Sequence, residues 1–145
     1  MPETLEFLTY KDEEEVITAI QEAESNTSGE IRVHLEKRSE KDHFARAKEV
    51  FDELGMHQTD LRNGVLIYVA IEDHVFYIIG DKGINDLVED DFWDCTRDTM
   101  LTHFKSGRFK EGLIAGILKA GERLKEFFPD NGKNENELCD TVSRS

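Results

Sequence analysis

Asn63-Gly64-Val65-Leu66-Ile67-Tyr68-Val69-Ala70-Ile71-Glu72-Asp73-His74-Val75-Phe76-Tyr77-Ile78-Ile79-Gly80 is the stretch that decides the fold. Val65 to Ile71 is a continuous apolar run, long enough for a strand and apolar on both faces, so it needs cover from two sides. Glu72-Asp73-His74 makes a short turn, and Val75 to Ile79 reads as a second strand. Two strands with so short a join form an antiparallel hairpin.

Upstream, Ile31, Val33 and Leu35 alternate with Arg32, His34 and Glu36, which marks another strand. Thr9 to Asp12 fits a capping box ahead of Val16, Ile17, Ala19, Ile20 and Ala23 at helical spacing, and Ser25 to Gly29 punctuates the end of that helix. Ser39 and Asp42 are placed to cap a second helix carrying Phe44, Ala47, Val50, Phe51 and Leu54, with Gly55 at its C-terminal cap. Downstream, a third helix is expected from about Asp90 to Lys105, and a fourth from beyond Gly107 to Pro129. Gly112, Ala115, Gly116, Ala120 and Gly121 in that last helix allow a close neighbour. From Asp130 onward the chain is polar with almost no apolar anchors. The domain is therefore expected to span residues 9–128, with residues 129–145 a disordered polar tail.

This order of elements predicts an α/β fold. It is a three-layer α/β/α sandwich around a small mixed sheet, with one parallel crossover pair, one antiparallel hairpin and about four helices. The strand directions bring distant acids to one edge. Glu30 opens the first strand, Asp60 to Gly64 leads into the second, Gly80-Asp81-Lys82-Gly83 leaves the third, and Asp86, Glu89, Asp90 and Asp91 lie around the start of the third helix. Converging carboxylates repel, and a hard oxygen-seeking cation relieves that repulsion. Ca²⁺ or Mg²⁺ suits such a site better than zinc, because no Cys or His grouping accompanies the acids. An equally simple reading is that Asp90 and Asp91 cap and charge a helix N-terminus, with Glu30 and Asp81 solvated loop residues.

With a net charge of −14, the 145-residue chain is a poor ligand for nucleic acid or anionic membranes, since no basic face is visible. No apolar run approaches the roughly 20 residues that span a bilayer. Met1 to Glu6 carries no basic start or apolar h-region, so a cytoplasmic, monomeric protein is expected. Cys95 and Cys139 make no metal spacing and read as free thiols. The five histidines are scattered: His34 on a strand is placed to face a covering helix, and His43, His57, His74 and His103 read as surface residues. Trp93 reads as a core anchor beneath the acidic edge. The windows 81–92 and 130–141 lack the Gly and Glu that an EF-hand loop needs, and there is no P-loop, GxGxxG or GxSxG.

Gly29-Glu30-Ile31, Asn63-Gly64-Val65-Leu66, Gly80-Asp81-Lys82-Gly83, Asp91 and Gly107-Arg108-Phe109-Lys110-Glu111-Gly112-Leu113 together resemble, in their order, the motifs of the TPM domain family. The resemblance covers residues 9 to 128. It implies an α/β sandwich with a divalent-cation site at the acidic edge, and some plant members are described as acid phosphatases. Carried over by position, Glu30, Asn63 and Asp91 match the family's polar positions; Asp81 and Asp90 are added by the strand topology. Ile78-Ile79-Gly80 stands where many members carry Glu-Thr-Gly, so one family carboxylate is absent. Two functions follow as expectations. One is a cation-binding module that stabilises the edge and serves a protein partner. The other is a metal-dependent phosphatase acting on a phosphate ester, with Arg62 and Lys82 near the phosphate.

Overall fold

The computed structural model describes residues 9–39, 42–59, 61–89, 91–129 and 142–144. Thr9 caps helix α1 (Tyr10–Glu24) through the reciprocal bonds with Asp12 that the sequence predicts. Asp42 caps α2 (His43–Glu53) by accepting from the Ala45 N–H, and Gly55 beyond it has a φ of +67°, a conformation that glycine adopts without a Cβ penalty.

The sheet is built from β1 (Glu30–Glu36), β2 (Gly64–Ala70) and β3 (Val75–Gly80), with a two-residue β4 (Ser143–Arg144) completing the order β3-β2-β1-β4. β1 pairs parallel with β2, Glu30 opposite Gly64, and β2 pairs antiparallel with β3, Val65 opposite Gly80. The parallel pair and the hairpin are as the sequence predicts.

Every residue of β2 is buried, because its two faces enter different cores. On one face Val65, Ile67 and Val69 pack with Ile31, Val33 and Leu35 of β1 beneath α1, α4 (Asp94–Lys105) and α5 (Phe109–Phe127). On the other, Leu66, Tyr68 and Ala70 meet Ala47, Val50 and Phe51 of α2, together with Met56. The three layers follow from that division. The small residues of α5 do let neighbours close in: a Cβ on Gly116 would lie 2.5 Å from the Met100 side chain, and one on Gly121 would lie 2.7 Å from Ala23.

Two details differ from expectation. A one-turn helix, α3 (Lys82–Asn85), is added after β3, giving five helices among the described residues rather than about four. The helix expected from about Asp90 begins at Asp94 instead, because Asp91 to Trp93 form a turn that buries Phe92 in the core.

The expected disordered tail lies outside the described residues at 130–141 and 145. Within it, Val142 is buried in the core and Ser143–Arg144 pair with His34 and Leu35 of β1, where the polarity of the segment predicts no strand. Cys95 is an exposed free thiol, and Cys139 lies outside the described residues. Among the described residues, no helix is long and apolar enough to cross a membrane.

Candidate functional site

Strand register assembles one edge of the sheet. Glu30 stands opposite Gly64, its N–H donating to the Asn63 carbonyl at 3.3 Å. On the far side of Gly64, the Asp81 N–H donates to the Gly64 carbonyl at 2.9 Å. Glu30, Asn63 and Asp81 are 3%, 1% and 3% exposed, so these polar groups are part of the protein interior and need partners.

Asn63 is held from both sides. Its backbone N–H donates to Thr59 Oγ1 at 3.1 Å, and its Nδ2 donates to Ser28 Oγ at 3.4 Å. Ser28 in turn donates its backbone N–H to the Phe128 carbonyl at the end of α5. Asn63 Oδ1 is buried with no hydrogen-bond partner, an arrangement that costs about 1–3 kcal/mol when nothing satisfies it.

Asp91 is exposed and lies two residues before Trp93, the N-cap of α4, which has no side-chain cap bond; Asp91 therefore does not cap that helix. The adjacent Phe92 packs edge-on to Phe127 at 5.6 Å between ring centroids, which brings this turn to the same end of α5 that Ser28 contacts. Trp93 is half-buried and packs against the core, its ring 4.6 Å from that of Phe92. Asp90 lies outside the described residues. Among the described residues, no group of three or more His, Cys, Asp or Glu side chains is arranged to hold an ion, so Glu30, Asp81 and Asp91 do not make such a group by themselves.

Asp81 occupies a different environment from the one its sequence position predicts. Arg62 Nε donates to Oδ2 at 2.8 Å and Arg62 Nη2 to Oδ1 at 3.1 Å. The Lys82 N–H (2.8 Å) and His57 Nδ1 (3.0 Å) also reach Oδ1. Burial alone would raise the Asp81 pKa, but the bonds from Arg62, Lys82 and His57 outweigh it and hold the carboxyl below its usual range. Arg62 reaches this position with a φ of +52°. Its carbonyl is fixed by the Gly83 N–H at 2.8 Å, and a Cβ on Gly83 would lie 2.1 Å from the Leu61 carbonyl oxygen. The second glycine of Gly80-Asp81-Lys82-Gly83 is thus required by close backbone approach.

His57, expected as a plain surface residue, bridges two carboxylates: Nε2 lies 2.5 Å from Asp52 Oδ1 and Nδ1 lies 3.0 Å from Asp81 Oδ1. Burial disfavours the imidazolium, but Asp52 and Asp81 together raise the pKa above its ordinary value. No spacing in the sequence signals this cluster; it depends on the loop after α2 folding over the end of β3.

A second polar cluster sits inside the sheet. His34 stacks on Tyr68 at 6.0 Å, and its Nδ1 lies 2.9 Å from Ser143 Oγ. Nearby, Glu36 accepts from Arg46 Nη2 at 2.8 Å and from the Tyr68 hydroxyl. Burial works against the Glu36 carboxylate, and the Arg46 and Tyr68 bonds overcome it.

The model of the TPM domain family matches residues 3–123. Among solved structures, the chain resembles the NMR structure of the BA42 protein from the psychrophilic bacteria Bizionia argentinensis sp. nov. The two share 56% identity over 96% of each chain, with a TM-score of 0.92. A search of the curated proteins finds no match.

Proposed function

Since the chain belongs to the TPM domain family, we propose that it is a divalent-cation-binding module that takes Ca²⁺ or Mg²⁺ at the edge formed by the lead-ins to β1 and β2. The observation that carries this reading is the side-chain oxygen of Asn63, buried and unpartnered next to Glu30 in the ladder. An oxygen-only donor set suits a hard cation. Glu30, Asn63 and Asp91 are the side chains that would hold it; Asp90, the other candidate, lies outside the described residues. Asp81, its oxygens already accepting from Arg62, His57 and Lys82, would act beside the ion rather than on it. Bound, the ion would bring positive charge to the carboxylates of Glu30 and Asp91.

We read the site as a binding or regulatory one, in a cytoplasmic monomer that carries an exposed free thiol. The test is a calcium and magnesium titration followed by calorimetry and melting. At about 100 times the dissociation constant the ion should add roughly 2.7 kcal/mol of stability, reversed by a chelator. Glu30→Gln and Asp91→Asn should weaken the response while leaving the metal-free fold intact. An unchanged melt with no binding heat would sink the proposal. Metal-dependent hydrolysis of an aryl phosphate by wild type, lost in both variants, would convert the binding site into a phosphatase centre.

A further inference from the structure

Behind Asp81, on the face of the sheet covered by α2, lies an open groove of about 430 Å³. That volume falls within the range of small-molecule sites. Phe44, Phe51 and Ile79 give it an apolar wall, and Lys48, Arg62 and Lys82 bring cations to it. Phe44 remains 47% exposed, with the Lys48 ammonium 5.1 Å from its ring centroid.

The charge count at this groove is unlike that of the chain. The whole sequence carries −14, yet three permanent cations line the groove against only two carboxylates, Asp52 and Asp81. Both carboxylates are already engaged, Asp52 by a hydrogen bond with His57, and Asp81 by Arg62 and His57. Neither Lys48 nor Lys82 has a carboxylate partner among the described residues. Arg62 is oriented by its Nε and Nη2 bonds to Asp81, so its guanidinium plane is fixed at the groove wall. A pre-oriented guanidinium beside an ammonium is the arrangement that recognises a carboxylate.

We propose that this groove binds a small monocarboxylate with an apolar or aromatic body, the carboxylate meeting Lys82, Lys48 and Arg62 and the body lying against Phe44, Phe51 and Ile79. The preference for a single negative charge follows from the charge count with the His57 imidazole neutral, when Lys48, Arg62 and Lys82 exceed Asp52 and Asp81 by one. A dianion would be repelled by Asp52 and Asp81 after the first charge was matched. The proposal does not rest on the cation edge, and it is tested with a chelator present throughout.

The experiment is a backbone amide NMR titration of the full chain with phenylacetate, with acetate and phenyl phosphate as parallel arms. Phenylacetate should produce saturable shifts at Phe51, Gly80, Lys82 and Asn85. Acetate, lacking the apolar body, should bind about tenfold or more weakly, since burying a few CH₂-sized groups is worth more than the 1.4 kcal/mol that a factor of ten represents. Lys82→Gln and Lys48→Gln, both exposed and outside the Asp81 ion pair, should each weaken phenylacetate binding while leaving the remaining amide spectrum in place. Groove shifts that are absent, or that persist undiminished in both lysine variants, would overturn the proposal. So would tighter binding of phenyl phosphate than of phenylacetate, which would show that the groove selects a dianion.

Discussion

His34 should make this protein lose stability between neutral pH and pH 4.5, and replacing it should remove that part of the loss. The ring is 2% exposed between β2 and β4. The charged and titratable groups around it are Glu36 and Arg32 on its own strand, Arg46 and Glu53 on α2, and Tyr68 on β2. Burial is the largest influence and lowers the pKa, Glu36 and Glu53 oppose it, and Arg46 and Arg32 reinforce it; the outcome is a lowering from 6.5 to about 4.

The sign follows from which state takes the proton. Below pH 6.5 the unfolded chain protonates His34 while the folded chain does not until about pH 4. The stabilisation is therefore fully present above the unfolded pKa and lost as pH falls toward the folded one. From these two pKa values, the difference between pH 7.5 and pH 4.5 is about 2–3 kcal/mol, a large share of the ~5–15 kcal/mol that holds a domain together. His57 acts oppositely: its raised pKa adds stability at low pH and loses it as pH rises through the folded value. Raw pH profiles mix the two, so the measurement is a difference. Urea melts of wild type and His34→Gln, followed by the single Trp93, should converge by about 2–3 kcal/mol as pH falls from 7.5 to 4.5. Parallel profiles, or a His34 ring that titrates near 6.5 by NMR, would refute the reasoning.

Gly83→Ala drives a Cβ to 2.1 Å from the Leu61 carbonyl, so it should cost about 1–3 kcal/mol or more in a urea melt and shift the amides of Arg62 and Asp81. Truncation after Pro129 removes buried Val142 and the β4 pairing, so it should cost about 2 kcal/mol by the same assay; an unchanged midpoint would show that β4 contributes nothing.

The sheet was legible because its signals are hydrophobic and local. Val65 to Ile71 is apolar at every position, which only a strand between two layers uses, and the short turn at Glu72 to His74 leaves one geometry for its neighbour. Together with the parallel crossover from β1 to β2, those two facts bring Glu30, Asn63 and Asp81 to one edge. What lies beyond them depends on contacts that carry no periodicity. β4 is two residues paired through backbone atoms, and a polar side chain such as Ser143 gives no sign of it. The His57 bridge joins a loop after α2 to a loop after β3, and the spacing between Asp52, His57 and Asp81 has no repeat to detect.

The same contacts change why a cation belongs at this edge. Read from the sequence, the case rests on carboxylates crowding together, with Asp81 among them. In the structure Arg62 and His57 neutralise Asp81 from within the chain, so repulsion at that carboxylate is already relieved. The argument passes to Asn63. With the Asn63 amide nitrogen donating to Ser28 Oγ, its side-chain oxygen is left buried without a donor. That orientation is the one that serves a cation, since the oxygen rather than the amide nitrogen is left to be a ligand. A buried amide oxygen without a donor is better evidence for a ligand than a surplus of negative charge, because charge is relieved by solvent and counterions while a buried orphan atom is not.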